Sequence, residues 1–197
     1  MSNAIRSLPF DPKGLKGLSE RLIVSHHENN YGGAVKRLDA IRTQIEGIDF
    51  ATVPGFMLNG LKREELIAAN SAALHELYFA GLGGNGELGA GALKSAIEGF
   101  FGSMDRWRSQ FMAMGKALAG GSGWVLLTWS MREQRLSNQW AADHTHVLAD
   151  GVSVLALDMY EHAYHIDYGA KAAAYVETFM QNIDWTFAAQ RFDACAA

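Results

Sequence analysis

The hydrophobic period changes once along this chain, and that change limits the fold more than any other feature. In the first half, Tyr31, Ala34, Leu38, Ile41 and Ile45 stand three and four residues apart, the helical spacing. Later come two short β-prone runs, Trp124-Val125-Leu126-Leu127-Thr128-Trp129 and Val152-Ser153-Val154-Leu155-Ala156-Leu157, with a weaker strand near 134–140. Pro9, Pro12, Gly14 and Gly17 make residues 8–18 an extended arm. Ser19 is placed to cap a long helix ending near residue 46. Gly32-Gly33 inside it costs ~1 kcal/mol per glycine relative to alanine, which suggests a bulky group against the backbone there. Pro54 to Gly60 reads as a connection, followed by a helix over 63–79. Further helices are predicted near 88–101, 103–118, 161–167 and 170–190. The sum is an α+β fold. An N-terminal two-helix hairpin precedes an α+β lobe with a small three-stranded antiparallel sheet flanked by helices. Gly81-Leu82-Gly83-Gly84-Asn85-Gly86 marks the expected boundary between a helical-hairpin domain at 1–82 and an α+β domain at 83–197.

A chain of 197 residues, 49% hydrophobic, can bury a sizeable core. A net charge of −4 gives no electrostatic case for nucleic acid or an anionic membrane as the main partner, so neither is expected. No run approaches the ~20 apolar residues of a membrane span. The first ten residues lack the apolar core of a secretory signal. Cys195 is the sole cysteine and excludes an internal disulfide, so the cytoplasm is the expected location.

Histidine is the residue type with most chemical potential here, at positions 26, 27, 75, 144, 146, 162 and 165. There is no His-Glu-x-x-His motif, and one cysteine cannot build a zinc finger, so any metal site must draw on distant segments. Asp158-Met159-Tyr160-Glu161-His162 is the strongest candidate segment, an acid ending an apolar strand with an imidazole four residues on. Carboxylate with imidazole suits iron, manganese or zinc. The same pair equally suits a buried Asp–His hydrogen bond without metal.

The run Asp158-Met159-Tyr160-Glu161-His162-Ala163-Tyr164-His165 resembles the Asp-x-Trp-Glu-His-Ala-Tyr-Tyr signature of the iron/manganese superoxide dismutases. The resemblance extends through Leu8-Pro9-Phe10, Ser25-His26-His27, the segment from Asn70 to Phe79, Gly121-Ser122-Gly123-Trp124 and Asn182-Ile183-Asp184-Trp185. It implies a mononuclear centre with one iron or manganese ion per subunit, weakly favouring iron, held by His26, His75, Asp158 and His162. It also implies one-electron cycling of that metal between two superoxide ions, giving dioxygen and hydrogen peroxide; redox-silent zinc cannot do this. Trp124 would line the pocket. The family's glutamine beside the metal has no counterpart at Ser71, and His144 takes its place from the sheet side, with His146 as competitor. Glu161 would pair across a homodimer interface with the ligand histidine of the other subunit, so a homodimer or higher homo-oligomer is implied.

Four departures from the family pattern bear on mechanism. Asn30 stands where the family has histidine, and His165 where it has the tyrosine that meets that histidine across the interface, a pair changed together. Ala34 replaces the gateway tyrosine, and Tyr31, one turn earlier, either supplies a hydroxyl in its stead or packs in the core. Tyr160 replaces the signature tryptophan. The family's steering cation falls at Ala172, with Lys171 beside it. The alternative reading is a metal-binding relative with little or no dismutase activity.

Overall fold

The computed structural model describes residues 4–196; Met1–Asn3 and Ala197, the outer ends of the two expected domains and of the start read as lacking a signal, lie outside it. Ser19 does cap the first helix, its hydroxyl accepting from the Leu22 N–H. The helix then runs from Glu20 to Glu46 in three parts. These are α1 (Glu20–Ser25), a π-helical segment (His26–Tyr31) and α2 (Gly32–Glu46). The π turn is the main departure from the regular period expected. Its wider i→i+5 turn brings residues five apart onto one side, and both His26 and Tyr31 are buried. A methyl on Gly32 would touch only the Ile5 side chain and the His27 carbonyl, at 3.4 and 3.5 Å, and Gly33 faces open space. No bulky group therefore explains the glycine pair.

α3 runs Gly55–Ala80, so the stretch read as a connection is its first turn and a half. Pro54 precedes it with φ −60°, which suits a helix start, and neither Gly55 nor Gly60 meets a neighbour that would disfavour the helix. Leu38 and Ile41 of α2 pack on Ala68 of α3 to make the hairpin's own small core.

α4 (Ala92–Phe101) and α5 (Met104–Ala117) follow. Between them Gly102 takes φ +88°, and Ser103 accepts from the Arg106 N–H to cap α5. The sheet has β1 (Trp124–Ser130) at its centre, paired antiparallel with β2 (Arg135–Ala141) and β3 (Gly151–Asp158), in the order β2-β1-β3. All of β1 is buried, as a central strand covered on both faces requires. Its register sets Trp124 opposite Ala141 on one side and Asp158 on the other.

A 3₁₀ turn (Glu161–Ala163) and a short α6 (His165–Tyr168) lead to α7 (Ala172–Met180) and α8 (Trp185–Ala196). The single closing helix expected over 170–190 is two. Asp184 breaks it, its carboxylate accepting from the Thr186 N–H at 2.9 Å to start α8. Buried Asn182 in the same break holds the Lys16 backbone, donating to its carbonyl and accepting from its N–H, each at 2.8 Å. One core cluster joins Leu22, Tyr31 and Tyr78 to the sheet and to Phe179 and Phe192 of the last helices.

Candidate metal centre

Four side chains from three distant segments meet between the hairpin and the sheet. The π turn presents His26, α3 presents His75, β3 ends in Asp158, and the 3₁₀ turn beyond presents His162. One ligand-type atom from each lies within 4.8 Å of all the others. Asp158 Oδ2 stands 3.2 Å from His26 Nε2, 3.3 Å from His162 Nε2 and 3.6 Å from His75 Nε2. His75 Nε2 and His162 Nε2 are 3.4 Å apart. A shell of bonds of about 2.1 Å sets neighbouring donors about 3.0–3.6 Å apart, so these separations fit one ion.

The hydrogen bonding agrees with that fit. His26 Nε2 and Asp158 Oδ2 are fully buried, yet neither is satisfied by a hydrogen bond. Leaving such groups unpaired costs about 1–3 kcal/mol each, more for a charged carboxylate. Hydrogen bonds on the far side of His75 and Asp158 aim those two side chains inward. The His75 Nδ1–H donates to the Ser71 carbonyl at 2.7 Å, which leaves the Nε2 lone pair facing the cluster. Asp158 Oδ1 accepts from the Tyr160 N–H at 2.8 Å, leaving Oδ2 for the histidines. Burial lowers the pKa of His26, and lowers that of His75 to about 3, so both rings are neutral donors near pH 7. Burial by itself would raise Asp158, but His162 and His26 beside it outweigh that and hold the carboxyl well below the usual carboxylate range. Neutral imidazoles with one carboxylate are a donor set for iron or manganese.

Around the four, aromatic rings line the site. Trp124 meets His75 edge-on at 5.3 Å. His144 stacks on Tyr160 at 4.8 Å, and Tyr160 on His162 at 5.3 Å. Of the two loop histidines, His144 faces the cluster, its ring 6.0 Å from that of His75. His146 is exposed and bound to Asp143 at 2.9 Å. The Trp124 Nε1–H donates to His144 Nδ1 at 3.0 Å, which places the His144 proton on Nε2. Gly123 makes this possible. At φ +136° its Cα passes so close to β2 that a methyl would sit 2.2 Å from the Ala141 carbonyl oxygen.

The Tyr31 hydroxyl accepts from the Arg6 N–H at 2.9 Å and donates to Glu76 at 3.0 Å. Glu161 and His165 are exposed beyond His162, and Asn30 is half-buried. No hydrogen bond within the chain joins Asn30 to His165 among the described residues. Ala172 is buried at the start of α7, and Lys171 precedes it in solvent.

Three residues escaped the sequence reading. Phe79 touches His26, His27 and His75 and is the packing centre behind the ligands. Buried Tyr78 lies against His26, and its hydroxyl accepts from Tyr175 at 3.2 Å. Asn70 donates to the His144 carbonyl at 2.7 Å and so fastens that loop to α3. Tyr78 and Phe79 lie three and four residues after His75, the spacing of a shared helix face, which is the signal that could have found them.

Comparison with known proteins agrees with this geometry. Residues 89–191 match the family of the iron/manganese superoxide dismutases, C-terminal domain. The chain is 66% identical to a superoxide dismutase [Fe] of Cupriavidus metallidurans over 190 residues, 96% of each chain. It is 33% identical to a superoxide dismutase [Fe] of Aquifex pyrophilus, over 92% of this chain and 87% of that one. It is 30% identical to a superoxide dismutase [Mn] of Halobacterium salinarum, over 96% and 94%.

Proposed function

This chain belongs to the iron/manganese superoxide dismutase family, and from that premise we propose that it dismutates superoxide with one iron ion held by His26, His75, Asp158 and His162. The convergence of those four ligand atoms within 4.8 Å carries the reading. Iron bound there supplies the one-electron couple that turns two superoxide ions into dioxygen and hydrogen peroxide.

The chain's own groups do the rest. Ser71 and the Tyr160 amide orient His75 and Asp158, so both are aimed before the ion arrives. The second half-reaction consumes two protons, and His144 carries one beside the cluster without being a ligand, its ring 6.0 Å from that of His75. Trp124 keeps that proton on Nε2, and Asn70 and Tyr160 fix the ring's place, so His144 is the donor we assign to the site. Trp124 and Tyr160 also wall the pocket, which keeps its dielectric low and strengthens each of these contacts.

The functional unit we infer is a homodimer, or a higher homo-oligomer, in which exposed Glu161 reaches the partner's copy of the site and His165 meets Asn30 across the interface. The exposure of Glu161 and His165 directly beside His162 supports this. We place the protein in the cytoplasm. No helix among the described residues is long and apolar enough to cross a membrane, and the lone Cys195 leaves the fold independent of oxidation. The test is to purify the protein, measure bound iron and manganese, and assay superoxide consumption. Stoichiometric iron with rapid consumption is expected; stoichiometric iron with negligible consumption would refute dismutation.

A further inference from the structure

Behind the metal centre the N-terminal arm is gripped at one residue by both ligand-bearing helices. The Arg6 N–H donates to the Tyr31 hydroxyl at 2.9 Å, and the Arg6 carbonyl accepts from His27 Nε2 at 2.8 Å. The Arg6 guanidinium lies 3.3 Å from Glu76 Oε2, while the Tyr31 hydroxyl donates to Glu76 Oε1 at 3.0 Å. Arg6, Tyr31 and Glu76 thus form a closed ring of contacts. Each helix joins it one residue away from a ligand: His27 follows His26 on the π turn, and Glu76 follows His75 on α3.

These contacts differ in weight. The Arg6 side chain is 76% exposed, and an exposed ion pair contributes little. Tyr31 is 1% exposed, and its hydroxyl is shared between the arm and Glu76, so breaking either bond leaves part of a buried group's hydrogen-bonding capacity unmet. The path to the ligands is short. Tyr31 packs on Phe79 at 6.3 Å, and Phe79 packs on His26 at 5.0 Å and His75 at 6.4 Å. A cavity of ≈ 150 Å³ lined by Arg6, His27, Tyr31, Glu76 and Phe79 gives these rings room to shift once the ring of contacts opens.

We propose that Tyr31, Glu76 and Arg6 form a clasp that holds α3 against the π turn and so fixes the spacing of His26 and His75. This makes Tyr31 a positioning residue. The proposal rests on the reading that those two histidines bind iron, and it goes beyond that reading in assigning iron retention to the arm.

The test uses full-length, iron-loaded protein and the variants Y31F, E76A, R6A and R6K. Two properties are read: the rate of iron release to excess EDTA, and the electron paramagnetic resonance spectrum of the ferric ion. Y31F and E76A should each release iron about 3- to 10-fold faster, the scale of one lost hydrogen bond. Both should also shift the rhombicity of the ferric signal. The double variant Y31F/E76A should fall short of the product of the two singles, because both cut the same contact. R6A should be milder, and R6K should restore the wild-type rate. Wild-type release and an unaltered ferric signal in both Y31F and E76A would overturn the proposal. So would a lowered melting temperature with both readouts unchanged, which is what contacts serving stability alone would give. If Y31F does not fold, E76A and R6A decide by the same readouts. Wild-type protein that holds no iron would instead remove the metal reading itself, and would be seen before any variant is made.

Discussion

Two of the four clustered side chains, His75 and Asp158, are aimed by a hydrogen bond made on the far side of the side chain. His75 is the clearest case. Its Nδ1–H is given to Ser71, its Nε2 faces Asp158, and burial holds its pKa near 3. The consequence for stability has a definite sign. In the unfolded chain a histidine takes up a proton below about pH 6.5, whereas folded His75 does so only near 3. Between those values the unfolded state binds more protons, so stability falls as pH falls, by up to about 1.4 kcal/mol per pH unit for each such histidine. His26 shifts in the same direction by burial, and Asp158, held below its usual range, adds its loss at lower pH. Metal-stripped protein followed by urea unfolding should therefore lose stability steadily from pH 6.5 downwards; a flat profile to pH 4 would contradict the assignment of neutral buried rings. Trp124 tests the neighbouring contact. W124F removes the bond that fixes the His144 tautomer and should retain stoichiometric iron while losing about 10- to 100-fold in superoxide turnover. Of these residues, Asp158 and His162 were readable as a candidate pair from their own segment, whereas His26 and His75 were readable only through the family resemblance, because they lie in segments with no metal motif of their own. His144 was readable over His146 only as an alignment choice. The contact with Trp124 that separates them depends on the β1–β2 register, and a sequence does not print that.

At the scale of elements, periodicity found the helices and strands and missed how they join. The π turn is the instructive miss. His26-His27-Glu28-Asn29-Asn30-Tyr31 contains no proline and no residue that forbids an α-helix, so nothing local announces the wider turn. The wider turn coincides with two tertiary contacts five residues apart, His26 on Asp158 and Tyr31 on Glu76. The break between α7 and α8 was legible in principle, since Asn182 and Asp184 are a turn former and a helix cap. D184A should cost about 1 kcal/mol, a fall of about 2–4 °C in melting temperature, with iron content unchanged. A loss of iron from D184A would show that this break also supports the metal centre through Asn182 and Lys16.

For the whole molecule, the composition set what could be ruled out, and the sheet set where the chemistry sits. β1 is buried along its whole length, and its pairing with β3, whose register shifts by one residue between Leu127 and Thr128, delivers Asp158 and Trp124 side by side to the hairpin. Such convergence of segments some eighty residues apart in the chain cannot be seen in spacing alone. The subunit assembly belongs to this scale as well. If Glu161 reaches a partner's site, E161Q should shift the sedimentation profile toward monomer at micromolar concentration and lower iron content in the same preparation. An unchanged profile with unchanged iron would place Glu161 outside the interface.

The most direct measurement of the central claim is anomalous diffraction at the iron edge from crystals of the iron-loaded protein. The account predicts one peak per subunit, about 2.0–2.2 Å from His26 Nε2, His75 Nε2, His162 Nε2 and Asp158 Oδ2. A peak elsewhere, or one from which any of those four atoms stands beyond bonding distance, would contradict it.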